Sequence, residues 1–280
     1  MKTTDRKRFA GKVVIITGAS SGLGLATARA FVREGARVTL TARHGDRLQQ
    51  AASELQHLTE HPVLAVPGDV SNREHMDGFV GQVVEKFGGI DILVNNAGAG
   101  MIAPFEQVAI NDVAALWQTN FVGALQCTQA VLPHMRRRGT GHIINVASLA
   151  GLRGIPNSSI YSATKAALIT FSDALRLELK PWGVAVTTIC PGRIRLADTQ
   201  FFASARKYGP VDLYKVSESL TADQVARALV HAAATRKRLV VLPFHAWLLH
   251  TVNKFAPQVV DRLLYKNMPR IGDKQSENAS

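Results

Sequence analysis

The sequence predicts a doubly wound α/β fold, a parallel sheet covered by helices on both faces, built as a single Rossmann-like domain with a C-terminal helical extension. Three observations predict it. From Lys12 onward short β-branched runs alternate with amphipathic stretches, the pattern of right-handed βαβ crossovers. A glycine-rich turn, TGASSGLG at Thr17 to Gly24, directly follows the first run and opens the first helix. Finally, 280 residues with 46% hydrophobic content supply the core of one α/β domain.

The elements follow in order. VVIIT is a strand, followed by a helix to about Glu34; RVTLTA is followed by a helix to about Thr59, and VLAVPGDV by a helix to about Phe87. DILVNNAG leads into further helices, HIINVAS into a helix bearing Tyr161, and VAVTTICPG into an irregular segment. A helix from Thr221 carries Ala222, Val225, Ala226, Leu229 and Val230 at helical spacing, and Leu239 to Leu242 adds a last strand. Beyond it Leu248, Val252, Phe255, Val259 and Leu263 recur every three or four residues, which describes one or two amphipathic helices broken near Pro257. The expected division is a basic tail over 1–11, the α/β domain over 12–243, the helical extension over 244–268 and a disordered tail over 269–280.

Composition narrows the function classes. Cys127 and Cys190 match no metal or redox spacing and sit in apolar surroundings, so no metal site is expected and a reducing, cytoplasmic compartment fits. The basic residues before VVIIT do not make a secretory signal, because that run breaks at once into glycines. No apolar segment approaches the roughly 20 residues of a spanning helix. Net charge is +12, but the basic clusters at the N-terminus, Arg136 to Arg138, Arg236 to Arg238 and Arg262 to Arg270 are dispersed and lack interleaved aromatics. They point to solvated surface rather than nucleic acid, while leaving room for phosphorylated cofactors, acidic substrates or anionic lipid.

In the glycine turn, Gly18 permits the tight bend. Gly22 and Gly24 remove side chains where a pyrophosphate must approach the backbone, and Ser20, Ser21 and Leu23 complete the cradle at a helix N-terminus. The second strand ends on Ala42 and Arg43, where an NAD site would usually place a carboxylate. Arg43 is suited to a 2′-phosphate, so NADP(H) is favoured over NAD(H). Tyr161 and Lys165 stand four residues apart on one helix, which puts a phenol and an ammonium on one face. A free phenol ionises near pH 10, so acid–base work near neutrality requires its pKa to come down to about 7. A neighbouring positive charge acts in that direction.

With the cradle, NNAG at Asn95 to Gly98, Ser148 and Tyr161-x-x-x-Lys165 in order, the sequence resembles the classical short-chain dehydrogenases/reductases from about Gly11 to Pro243. The resemblance implies a catalytic set of Asn120, Ser148, Tyr161 and Lys165. Tyr161 would exchange the proton as hydride moves to or from nicotinamide, and Ser148 would hold the same oxygen. Lys165 would lower the phenol pKa, aided by the oxidised nicotinamide ring, and bind the ribose hydroxyls; Asn120 would hold a water linking Lys165 to solvent. The resemblance also assigns Asp69 and the adjacent Val70 to the adenine, Asn95, Ala97 and Gly98 to a supporting turn, and Pro191, Gly192 and Ile194 to the nicotinamide. Leu196 occupies the place of the family's threonine, with Thr199 three positions late, so the ring anchor is expected to be altered.

Met101, Ile102 and Phe105, then Leu196, Phe201, Phe202, Tyr208, Leu213 and Tyr214, are expected to border an apolar cleft for a lipophilic alcohol or ketone. A 3-oxoacyl-thioester reductase using Arg136 to Arg138 toward an acidic carrier protein, and a non-catalytic dinucleotide sensor or scaffold, are the alternatives. The resemblance implies a homodimer or homotetramer. The C-terminal stripe is expected either to pack on protein or to lie on a membrane surface.

Overall fold

The computed structural model describes residues 7–195, 201 and 219–266. Strands β1 (Val13–Thr17), β2 (Arg37–Ala42), β3 (Leu64–Pro67), β4 (Ile92–Asn95), β5 (Gly141–Val146), β6 (Val184–Pro191) and β9 (Leu239–Leu242) form one sheet in the order β3-β2-β1-β4-β5-β6-β9. All six pairings are parallel. Two short strands, β7 (Ile194–Arg195) and β8 (Leu220–Thr221), pair with each other apart from that sheet.

Successive residues of β1 serve opposite faces, and both faces are dry. Val14 and Ile16 pack with Ala28, Phe31 and Val32 of α1 (Gly22–Arg33), Leu48 and Leu55 of α2 (Gly45–Gln56), and Leu229 of α8 (Ala222–Thr235). Val13 and Ile15 pack with Met76 and Phe79 of α3 (Arg73–Phe87), Val131 and Met135 of α5 (Gly123–Arg138), and Leu175 and Leu179 of α7 (Ser159–Leu179). This two-sided burial is why the strands read as continuous apolar runs. The order reverses between β1 and β4, which opens a crevice at the carboxyl ends of the strands.

Local signals set the helix ends. Asn72 caps α3 by accepting from His75 N–H, and Gly88 closes it at φ 77°. Thr221 and Gln224 form a reciprocal capping box at the start of α8. Helix α2 stops at Gln56, short of the expected Thr59, because the Gln56 amide donates to the carbonyls of Thr59 and His61 and accepts from Val63 N–H. That side chain staples the loop and delays β3.

One feature left no trace in the pattern of apolar residues. Helix α4 (Ile110–Trp117) runs into α5 through a π turn over Gln118–Val122, a form common at functional sites. The short α6 (Leu149–Leu152) follows β5, and α9 (Phe244–Phe255) and α10 (Pro257–Lys266) follow β9. Among the described residues no helix is long and apolar enough to cross a membrane.

Candidate active site

A cavity of about 630 Å³ opens at the carboxyl ends of the strands. Gly18 and Gly22 adopt φ of 63° and 55°, which side chains disfavour. A Cβ on Gly18 would stand 2.8 Å from Ala97 Cα, and one on Gly24 would overlap the Gly18 carbonyl oxygen. The turn is therefore pressed against the end of β4. Ser21 caps α1 without a side-chain hydrogen bond, so the first-turn N–H groups of Gly22, Leu23 and Gly24 lack helical partners at the cavity wall, where Ser20 and Ser21 also lie. Open backbone donors with the positive end of a helix dipole fit a pyrophosphate.

The residue that fastens this turn is Asn96, which sequence reasoning passed over. Its amide donates to the carbonyls of Thr17 and Gly18, while Thr17 Oγ1 accepts from Asn96 N–H and Ala97 N–H. Asn95 corrects the expectation placed on it. Its side chain points into the core, donating to Asn145 Oδ1 at 2.9 Å and Thr128 Oγ1 at 3.1 Å, and it does not line the cavity. In a strand, neighbouring residues face opposite ways; Asn96, Ala97 and Gly98 line the cavity instead.

At the end of β2 the wall consists of Ala42, Arg43, His44 and Arg47, with no carboxylate from this stretch. Arg47, one turn into α2, was not anticipated. Asp69 and Val70 line the wall beside them. Burial alone would raise the Asp69 carboxyl, but hydrogen bonds from the Ser71 N–H and hydroxyl, with the charges of Arg43 and His75, bring it below its ordinary value. Pro191, Gly192 and Ile194 line the cavity at the end of β6. Leu196, Thr199, Phe202, Tyr208, Leu213 and Tyr214 lie outside the described residues.

Three of the four expected reacting groups meet in this cavity. Ser148 caps α6, accepting from Ala150 N–H, and lines the cavity together with Tyr161. The Phe201 ring lies edge-on to Tyr161, 6.0 Å between centroids. Lys165 is buried, with Nζ donating to the Val146 carbonyl at 3.0 Å and 5.9 Å from the centre of the Tyr161 ring. Asn120 stands one layer behind. It lies in the π turn and does not line the cavity; its Oδ1 accepts from Ala99 N–H, and its amide donates to Ala99 O and Thr164 Oγ1. Gly98 separates it from Lys165, since a Cβ there would sit 3.2 Å from Asn120 Oδ1 and 3.4 Å from Lys165 Nζ.

Burial pushes the Tyr161 phenol up to about 12, with neighbouring Ser148 opposing, and pushes Lys165 down to about 8. Desolvation disfavours each charged form more than the polypeptide's own charges favour it. The ammonium one turn away does not by itself lower the phenol.

The extension differs from expectation as well. Phe105 is 69% exposed and does not line the cavity, whereas Met101, Ile102, Leu152 and Phe201 do. Helices α9 and α10 complete the wall with Ala246, Leu249, His250, Asn253, Val260 and Leu264. Of the apolar stripe read from the sequence, Leu248, Phe255, Val259 and Leu263 face outward. Both faces of these helices carry apolar residues, and spacing alone could not say which turns inward.

The profile of the short chain dehydrogenase family matches residues 12–207. The chain is 38% identical over 257 residues to an 11-beta-hydroxysteroid dehydrogenase-like protein 4A of Arabidopsis thaliana, covering 91% of this chain and 84% of that one. It is 33% identical over 275 residues to the ketoacyl reductase HetN of Nostoc, covering 96% and 93%. Among solved structures, L-sorbose reductase from Gluconobacter frateurii, complexed with NADPH and L-sorbose, superposes with a TM-score of 0.75 at 33% identity over 84% of this chain and 95% of that one. A short chain dehydrogenase/reductase from Burkholderia phymatum in complex with NAD gives 0.79 at 26% identity, over 90% and 96%. Sheet order, glycine turn and full-length similarity agree: the chain belongs to the short-chain dehydrogenase/reductase family and is an NAD(P)-dependent oxidoreductase acting on CH–OH groups.

Proposed function

We propose that the enzyme interconverts a lipophilic secondary alcohol and its ketone, with NADP(H) as the preferred cofactor and Tyr161 as the proton-exchanging group. The observation that carries this reading is Tyr161 lining the cavity that holds the glycine turn, together with Ser148 and buried Lys165. Bound nicotinamide supplies or accepts the hydride. Tyr161 gives its proton to the carbonyl oxygen in reduction and takes it back in oxidation. Ser148 donates to the same oxygen and holds it where charge develops. Lys165 is held near the phenol by Val146 and answers charge forming on it during the reaction. Asn120 acts through position: its three hydrogen bonds fix Ala99 and Thr164 behind Lys165.

Arg43 and Arg47, in a wall without a β2 carboxylate, favour a 2′-phosphate. Met101, Ile102, Leu152 and Phe201 favour an apolar substrate skeleton. An acidic carrier protein has less to hold, since Arg136 stacks on Trp182 at 5.0 Å, Arg137 bonds His134 and Arg138 pairs with Asp91. A panel of ketones and alcohols, steroids and acyl thioesters included, followed by nicotinamide absorbance with NADPH and NADH, tests the reading. Turnover of apolar ketones that Tyr161→Phe abolishes is expected; equal turnover by that variant overturns the assignment of the acid.

The outer face of the extension favours membrane contact in addition. Phe244 stacks on Trp247, Phe255 is 85% exposed, and Val259, Leu263 and Tyr265 are exposed nearby. Helix α9 has no acidic residue, the Asp261 carboxylate of α10 pairs with Arg153, and Lys254, Arg262 and Lys266 lie among the apolar groups. That combination suits anionic lipid headgroups over an acyl boundary.

A further inference from the structure

We propose that Thr164 is a positioning residue for the reaction: its buried hydroxyl holds Asn120, and through Asn120 the Gly98–Ala99 wall beside Lys165, in register with the turn of α7 that carries Tyr161. The inference rests on the reading of Tyr161 as the proton-exchanging group and adds the residue that sets the spacing around it.

Thr164 is buried and does not line the cavity. Its Oγ1 makes two hydrogen bonds, donating to the Tyr161 carbonyl at 2.8 Å and accepting from the Asn120 amide at 3.1 Å. A hydroxyl has one proton to give, and the Tyr161 carbonyl takes it, so toward Asn120 the oxygen accepts. That requires the NH2 end of the Asn120 amide to face α7. The other end, Oδ1, then accepts from Ala99 N–H at 2.7 Å, on the side where Oδ1 and Lys165 Nζ flank Gly98. A directed chain thus runs from Ala99 through Asn120 and Thr164 to the Tyr161 backbone, and hydrogen bonds in such a chain strengthen one another.

The two ends of this chain differ in how firmly they are held without it. The α7 backbone at Lys165 is pressed by α6, since a Cβ on Gly151 would stand 2.6 Å from the Lys165 carbonyl carbon and 2.8 Å from its oxygen. Lys165 Nζ is tied separately to the Val146 carbonyl. Asn120 instead lies in a π turn, outside the ordinary helical register. Slack released at Thr164 therefore passes to the π turn and to the Ala99 wall rather than to α7. A valine there keeps the shape of threonine without the hydroxyl and leaves the Asn120 amide with Ala99 O alone, a buried donor one partner short. Because Thr164 does not line the cavity, its loss should appear in the chemical step rather than in binding.

The test compares wild type with Thr164→Val and Thr164→Ser on the ketone that wild type reduces fastest. Thr164→Val should lower kcat by about tenfold or more, as a small displacement of reacting groups does, with KM and the NADPH dissociation constant within about threefold. Thr164→Ser keeps the hydroxyl and should stay within about threefold of wild type in kcat. Unchanged kcat in the valine variant overturns the proposal. So does an equal loss in the serine variant, or a loss shared by kcat, KM and melting temperature, which would make Thr164 a residue of the fold alone. Hydrogen exchange at Ala99 N–H, which Asn120 accepts, reads the tie without turnover. Should Tyr161→Phe react as fast as wild type, or wild type reduce no ketone, faster exchange in Thr164→Val alone keeps the spacing role and rejects the reading of Tyr161; equal exchange in all three proteins rejects the spacing role.

Discussion

The two ends of the cleft are built on different terms. Around the glycine turn and Tyr161, strands and helices converge, Asn96 and Thr17 tie the turn, and Asn120 is held by three hydrogen bonds. At the other end, α9 and α10 form the wall, leave His250 and Asn253 atoms without partners, and expose Phe255 and Tyr265. The first arrangement serves a cofactor and a proton, which impose one geometry. The second is loosely committed within the chain and turns apolar side chains both into the cavity and outward.

The contrast can be broken by substitution, beginning at the tied end. Tyr161→Phe should lower kcat by about 10³-fold while dinucleotide affinity stays within about twofold, measured by NADPH fluorescence; a parallel loss of both would mean that the phenol is structural. Arg43→Ala should weaken NADPH by about 10- to 100-fold with NADH nearly unaffected, and equal weakening of the two would remove the 2′-phosphate assignment. The buried lysine gives a smaller effect. Its pKa is about 8 folded against 10.5 ordinarily, so between these values the unfolded chain binds more protons and stability rises with pH. The Cys127 and Cys190 thiols, held up to about 12 by burial from 9.0, reverse the trend above pH 9, where the unfolded chain loses protons first. From pH 8 to 9 Lys165 contributes a gain of about 1 kcal/mol and the two thiols offset about 0.7 kcal/mol of it, so denaturant unfolding should show a net rise of only about 0.3 kcal/mol. Lys165→Met should turn that rise into a fall; an unchanged slope would assign it elsewhere.

The smallest expected effect belongs to the outer face. Phe255→Ser with Trp247→Ser should reduce co-flotation with phosphatidylserine vesicles several-fold, as expected when buried apolar area is lost, and leave turnover of a soluble ketone within about twofold. Binding that survives in the double variant would discard the membrane reading. Disappearance of a dimer in sedimentation, with no vesicle binding by wild type, would assign the face to a second copy of the chain.

The sequence was legible where spacing is enforced by the backbone. VVIIT, RVTLTA and Leu239–Leu242 occupy the strands expected of them, since parallel strands buried on both faces leave an apolar signature. The Gly18, Gly22 and Gly24 turn was legible because no other residue fits it. Asn95 turns into the core while Asn96 lines the cavity because one step along a strand reverses its side, and a motif of consecutive residues does not announce which of them faces out. The π turn around Asn120 was invisible because it shifts a hydrogen-bond register rather than an apolar pattern. The pairing of Arg153 with Asp261 was missed for a related reason: it forms only when segments 108 residues apart are brought together.

Helices α9 and α10 come after the last strand of the sheet, so they enter the chain once the reaction chamber is otherwise complete. Such a segment can be exchanged, lengthened or repacked without disturbing the order of the strands before it. A descendant enzyme could thereby acquire a differently shaped chamber while inheriting the same sheet and the same nucleotide cradle.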